Sequence, residues 1–264
     1  MSKQVTAIAT NAESTRIETS WRRLARRLAA ARLGVVGAAI LLLIILAAVF
    51  APLLAPYGPT KVDVLHFRQA PTLSHPFGTD ELGRDILSRV IYGARVSLGV
   101  GLVSIALALT IGTAVGLVAG YFGGWIDNAA MRVMDALLAF PALILALAIA
   151  AAIGAGLTGA TIAIAVVSVP IFARLSRGQV LSVRETDFVM AARALGASHT
   201  RIVLQHVLPN IVAPLIVQTS LSIALAILAE ASLSFLGLGV QPPTPSWGSM
   251  VNAGRQYLAD APWL

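Results

Sequence analysis

The chain has 264 residues, 57% of them hydrophobic and only 12% charged, with a formal net charge of +7 and no cysteine. A soluble domain carries about 25% charged residues, so this composition and its long apolar runs point to a polytopic membrane protein. The missing cysteines exclude a disulfide framework and any thiolate ligand or nucleophile. The basic residues gather near membrane edges without aromatic interleaving, a pattern that argues against nucleic-acid binding.

Residues 1–33 hold a charged region and lead into an apolar run that are both too long for a signal peptide. In "SWRRLARRLAAAR", Trp21, Leu24, Ala25, Leu28 and Ala31 follow helical spacing, while Arg22, Arg23, Arg26 and Arg27 cover the other face. Ser20 suits the N-cap. The tail is expected to be a cytoplasmic basic segment with an amphipathic helix on the inner leaflet, the alternative being a solvated tail that only sets topology.

A spanning helix needs about 20 apolar residues. The run 33–55 meets this, giving a first transmembrane helix over 34–55. An extracytoplasmic loop over 56–95 follows, then a transmembrane core over 96–264. Within the core, spans are predicted at 96–120, 136–154, 160–173 (with Pro170) and 211–237 (with Glu230), making five in all. With the N-terminus inside, thirteen basic residues lie on the cytoplasmic side and six outside, as the positive-inside rule prefers. The chain stops at "DAPWL", where a further apolar segment could begin, so a sixth helix is expected to follow Leu264. Gly112 and Gly116 form a small-xxx-small pair suited to close helix contact, or reflect only how common glycine is in membrane helices.

The cytoplasmic loop 178–210 breaks the apolar pattern with "DFVMAARALGASHTRIVLQHVLPN" (187–210). Thr186 or Asp187 can cap a helix in which Phe188, Ala191, Ala192 and Leu195 share a face. Gly196 suits its left-handed C′ position. Ser198 can cap a second helix over 199–208, which Pro209 stops from continuing unchanged. The resulting knuckle is either a docking element presenting the small residues Ala191 and Ala192 or an ordinary helical loop.

This stretch resembles the cytoplasmic EAA loop of binding-protein-dependent ABC importers: Glu-Ala-Ala, three residues, Gly, nine residues, then Ile-x-Leu-Pro. Ala191, Ala192, Gly196, Leu208 and Pro209 match, while Met190 stands for the glutamate and His206 for the isoleucine. Such departures are similar to those of the peptide and nickel branch. "HPFGTDELGRDILSRVIYGARVSL" (75–98), "YFGGWIDNAAMRVMDALLAFP" (121–141) and "AEASLSFLGLGVQPPTPSWGSM" (229–250) also resemble the second permease subunit of dipeptide, oligopeptide and nickel importers. The resemblance implies an all-α permease fold with six helices per subunit. It further implies a coupling helix that docks on an ATP-hydrolysing subunit, with Asp187, Met190, Ala191, Ala192, Leu195, Gly196, Ala197, His206, Leu208 and Pro209 as the coupling residues.

The two lysines, Lys3 and Lys61, belong to no GxxxxGK[ST] loop, so this chain carries no Walker-type ATP site. No HExxH or GxSxG motif supports an intramembrane enzyme. An ion-driven transporter would show internal repeats and paired ionisable residues at mid-membrane, and only Glu230 lies inside a predicted span. Glu230 is either a candidate for the translocation pathway or a solvated residue at the outer boundary. His66 and His75 are expected to be solvated loop residues, since their nine-residue spacing suggests no compact metal site. Arg84 and Asp85 are expected to pair in the outer loop, and Arg132 with Asp135 at i,i+3.

The expected function is half of the translocation pathway of an ATP-driven importer, working by alternating access in a bacterial or archaeal plasma membrane. The expected cargo is di- or oligopeptides, the alternative being nickel or another small solute. The implied partners are a sister permease, two ATP-binding subunits that hold ATP and Mg, an extracytoplasmic solute-binding protein and the lipid membrane.

Overall fold

The computed structural model describes residues 32–264, so the predicted amphipathic helix capped by Ser20 lies outside the described residues. Contacts divide the chain into a unit ending at Ala47 and one running from Ala48 to Leu264. Helix α1 is Arg32–Val49. Its Val36, Ile40, Leu43 and Leu46 are all exposed, which suits contact with lipid. At 18 residues it falls just short of a hydrocarbon core about 30 Å thick. A one-turn helix α2, Ala51–Leu54, follows.

In the second unit, residues 56–85 form an irregular loop that leads into α3, Ile86–Phe122. This helix starts ten residues before the predicted 96. Arg89 and Arg95 depress the hydropathy of its first turns, yet both are satisfied. Arg89 Nη1 donates to Pro59 O at 3.0 Å, and Arg95 Nε donates to Ala48 O at 3.0 Å. Asp85 caps α3 by accepting from the Ser88 N–H at 2.8 Å. Gly123 and Gly124, at φ +67 and +59, turn the chain into α4, Gly124–Leu138.

Helices α4 and α5, Ala142–Ile153, stand where one span was predicted over 136–154. They are bent by 93° at the Ala139–Pro141 break. Pro141 cannot donate to a continuing helix, and the residue before it is steered away from helical backbone. Helix α6, Leu157–Val183, is far longer than the predicted 160–173. Pro170 leaves it continuous, as neighbouring helices allow in membrane proteins.

Helix α7 is Asp187–Ala194. After it, a short α8, His199–Arg201, runs through a wide π turn, Ile202–Val207, into α9, Leu208–Phe235. The helix runs on past Pro209, but not unchanged, since a π turn precedes the proline. Proline sits at the start of the next helical stretch, where its missing N–H costs nothing, and the π turn absorbs the mismatch. The Leu208 N–H reaches Val203 O, five residues back, and Asn210 Nδ2 donates to His206 O at 2.6 Å. Helix α10, Trp247–Gly254, closes the described chain with a short 3-10 turn, Arg255–Tyr257.

Three helical stretches are long and apolar enough to cross a membrane: α3, α6 and the continuous run His199–Phe235. The α4–α5 pair counts as a fourth if the two arms are one span, and α1 is a shorter apolar helix. Among the described residues there is no strand. The protein is therefore an all-α polytopic membrane protein. Its core forms where α3 packs on α6. Gly112, Gly116 and Gly120 let the two backbones touch: a Cβ on Gly116 would lie 2.4 Å from Ala173 O. The small-residue pair is thus a true contact surface. Ser97, Ser104 and Ser176 on the same helices are buried, with Ser104 Oγ donating to Thr161 O at 3.0 Å.

Candidate functional site

At one end of the bundle, α6 leads into the knuckle. Thr186 takes extended backbone and its hydroxyl donates to Val183 O at 2.6 Å, so it caps α7 by backbone shape and not by its side chain. Asp187 in the first turn and Arg193 in the last both favour the helix dipole. Gly196, at φ +78, ends α7 in a Schellman motif. Its N–H donates to Arg193 O at 3.0 Å, and the Ala197 N–H donates to Ala192 O at 3.1 Å. Ser198 then caps α8, accepting from the Arg201 N–H at 3.4 Å.

Burial sorts the predicted coupling residues into two sets. Val189 is fully buried and anchors α7, with Ala192 and Ala197 packed beside it on the core. Phe188, Met190, Ala191, Leu195 and Gly196 face outward, and Leu195 is 89% exposed. The predicted shared face therefore splits. Ala192 holds the knuckle down, while Phe188, Ala191 and Leu195, at i, i+3 and i+7, form an uncovered apolar stripe. His206 and Leu208 are half-buried at the base of the π turn, Pro209 is exposed, and Asp187 is exposed at the helix start.

Two further contacts fix the knuckle, and sequence spacing could not show either. Buried Tyr121, at the end of α3, hydrogen-bonds through its hydroxyl to His199 Nδ1 at 2.9 Å, their rings 5.6 Å apart edge to face. Arg184 Nη1 donates to Gly120 O at 2.8 Å. Tyr121→Phe is expected to cost about 0.5–1.5 kcal/mol, read as a drop of a few degrees in thermal midpoint in detergent. Nearby, Arg177 grips Asp127 of α4 with two donors at 2.5 and 2.6 Å. Asp135 pairs with Arg174 of α6 and not with Arg132 as predicted, because the bend turns α4 across α6.

At the opposite end, the 75–98 segment is an ordered charge cluster. Asp80 Oδ2 accepts from Arg84 Nε at 2.6 Å and lies 3.3 Å from Arg89 Nε, and Arg84 Nη2 reaches Glu81 at 3.0 Å. The partner of Arg84 is therefore Asp80 and not the expected Asp85. Asp85 instead caps α3 and accepts from His75 Nδ1 at 2.9 Å. His75 is not solvated: it stacks on Tyr57 with ring centroids 4.7 Å apart, and His66 lies 6.5 Å from it. His66 donates to Asp63 at 2.9 Å and holds that carboxyl below the usual carboxylate range. Among the described residues, no cluster of three or more acidic, histidine or cysteine side chains could hold a metal.

Glu230, five residues before the end of α9, is fully buried and does not sit in solvent at a boundary. Its Oε2 accepts from Ser97 Oγ of α3 at 2.9 Å, and its Oε1 from Ser234 Oγ at 2.7 Å. An acidic group buried in protein without hydrogen-bond partners is costly, and these two hydroxyls offset part of that cost. Glu230 does not border the cavity of about 370 Å³ between α4–α5, α6 and α9, whose polar lining is Ser168, Ser222 and Ser232.

Comparison with known proteins gives these features a context. Residues 112–261 match the family of binding-protein-dependent transport system inner membrane components. Residues 19–71 match the N-terminal TM domain of oligopeptide transport permease C. The dipeptide transport system permease protein DppC of Alkalihalophilus pseudofirmus is 48% identical, over 92% of this chain and 80% of that protein. The glutathione transport system permease protein GsiD of an Escherichia coli O1:K1 strain is 42% identical, over 93% of this chain and 82% of its own length. A solved structure of the MetNI methionine ABC transporter, in an inward-facing conformation, superposes with a TM-score of 0.54 at 22% identity. That likeness covers 65% of this chain and 81% of the matched chain, and it bears on the fold alone.

Proposed function

The chain belongs to the family of binding-protein-dependent transport system inner membrane components, and from that premise we propose that it forms half of the translocation pathway of an ATP-driven peptide importer. The observation that carries this reading is the knuckle. It has a buried anchor at Val189, an uncovered stripe of Phe188, Ala191 and Leu195, and a fixed exit angle at Gly196. Such a stripe, standing clear of the bundle, has the form of a helix laid into a groove on another protein. In this proposal the groove belongs to one of two ATP-binding subunits, which hold ATP and Mg, since this sequence has no phosphate-cradling loop.

The orientation follows from the basic residues: the N-terminal tail, 1–33, and the 178–210 loop lie in the cytoplasm, and residues 56–95 lie outside. A solute-binding protein delivers cargo to the outer segments, and a sister permease supplies the other wall. The mainly apolar cavity between α4–α5, α6 and α9, with Ser168, Ser222 and Ser232 as its polar groups, is this chain's part of that wall. The relatives that carry dipeptides and glutathione favour short peptides over nickel as cargo.

Two measurements test the proposal. In proteoliposomes holding both permeases, both ATPase subunits and the binding protein, ATP-dependent uptake of a labelled dipeptide is expected, with nickel uptake at background. Nickel uptake without dipeptide uptake would reverse the cargo assignment. Leu195→Asp changes an exposed side chain, so insertion and thermal midpoint should stay as in wild type while co-purification of the ATPase subunits falls at least tenfold. Undiminished co-purification would remove the docking role.

A further inference from the structure

At the end of the bundle away from the knuckle, the Glu230 carboxylate is the centre of a hydrogen-bond relay with two arms. In the first, the Val240 N–H donates to Ser234 Oγ at 3.1 Å, and Ser234 donates to Glu230 Oε1 at 2.7 Å. In the second, the Trp247 N–H donates to Ser97 Oγ at 3.4 Å, and Ser97 donates to Glu230 Oε2 at 2.9 Å. Ser246 adds a further hydroxyl to Ser234 at 3.4 Å. Each serine thus accepts from the 240–247 segment and spends its own proton on the carboxylate. The residues flanking the segment are also pressed close: a Cβ on Gly239 would lie 1.9 Å from Ser234 Oγ, and one on Gly248 would lie 2.4 Å from Ala231 O. The Trp247 indole N–H donates to Val90 O of α3 at 3.1 Å.

Among the described residues, no cation hydrogen-bonds or pairs with Glu230. An acidic side chain buried without a counter-charge stabilises the folded state less than apolar packing of the same volume would. A carboxylate fed by two hydroxyl arms is instead a clasp whose strength depends on whether the 240–247 segment is docked. When the segment lifts, both serines lose the donors that orient them, and the link between α3 and α9 weakens with it.

We propose that Glu230 is a positioning residue that clasps α3, α9 and the 240–247 segment together, and that the clasp must release for the outer end of the pathway to open. This rests on the importer reading above, in which that segment faces the solute-binding protein. The clasp then keeps the ATPase slow until the loaded binding protein engages the segment.

The test uses the full complex in proteoliposomes. Glu230→Gln and Ser97→Ala are expected to raise ATPase activity without binding protein at least threefold, and to cut its stimulation by loaded binding protein to under half of wild type. Ser97→Thr, which keeps the hydroxyl, is expected to restore the wild-type ratio. A wild-type ratio in both Glu230→Gln and Ser97→Ala overturns the clasp, even if thermal midpoints fall. Spin labels at Leu228→Cys and Val251→Cys, in a complex whose partner subunits are made cysteine-free, provide a second readout, since this chain has no other cysteine. Their distance distribution should broaden in Glu230→Gln, and an unchanged distribution counts against the clasp. Failure of the wild-type complex to hydrolyse ATP or take up peptide would sink the importer reading instead.

Discussion

Replacing Gly116 with leucine is expected to abolish recovery of a folded chain. A Cβ on Gly116 would lie 2.4 Å from Ala173 O, 2.6 Å from Ser176 Cβ and 2.9 Å from Arg177 N. The first and third are backbone atoms of α6, which cannot swing aside as a flexible side chain would. Gly112 faces Val169 O at 2.6 Å, and Gly120 faces Val180 Cβ at 2.9 Å, so the close approach runs along three successive turns. Forcing extra methylenes into a packed core costs about 1–3 kcal/mol. Leucine adds four heavy atoms where even one does not fit, so the cost should exceed that range and the α3–α6 pair should separate. Gly116→Ala should fall within it. Gly178, a helical glycine with no atom within 4 Å of an added Cβ, is the control. Gly178→Ala should be neutral or stabilising by up to about 1 kcal/mol. Size-exclusion yield and thermal midpoint in detergent would check the series, and a well-folded Gly116→Leu protein would contradict the packing described.

Gly196→Val is expected to lower ATP-driven uptake more than tenfold while the chain still inserts and folds. Here the constraint lies in the backbone alone. At φ +78, Gly196 has no atom within 4 Å of an added Cβ, so valine would meet no neighbour. Valine in the left-handed region costs about 1–2 kcal/mol. The chain would escape by changing φ, breaking the bond from the Ala197 N–H to Ala192 O and re-aiming α7 against α8. A small stability change would thus become a misdirected Phe188–Leu195 stripe. Uptake should fall and ATPase activity should lose its dependence on cargo, whereas Gly196→Asn, which tolerates this backbone, should retain much of both. Full uptake by the valine variant would remove the knuckle's exit angle from the coupling mechanism.

The order of apolar segments was legible in the sequence because lipid imposes a length and a composition on each. Their ends were not. Arg89, Arg95, Arg174 and Arg177 made α3 and α6 look short, although partners elsewhere in the chain satisfy each of them. The α4–α5 bend was signalled by Pro141, but a hydropathy window reads through a single proline. In the knuckle, Gly196 and Ser198 announced their roles through local backbone chemistry. Periodicity found an apolar face on α7 but could not say which part lies on the bundle. Val189, outside the predicted face, became the anchor beside Ala192, while Leu195 stayed uncovered. The contacts that close the site, Tyr121 with His199 and Ser97 with Glu230, join residues 78 and 133 positions apart and leave no local trace.

The unbroken run from His199 to Phe235 has 37 residues, so at 1.5 Å per residue it is a rod of about 55 Å. A push at one tip of such a rod would reach the other as translation and twist. Its compliant points are the π turn, Ile202–Val207, and Pro214 within α9. Each residue of an α-helix advances the azimuth by about 100°, so that widened turn sets the angular phase between the knuckle and the carboxylate far above it. Gearing of this kind would let two distant faces of one helix stay in register while each meets a different partner.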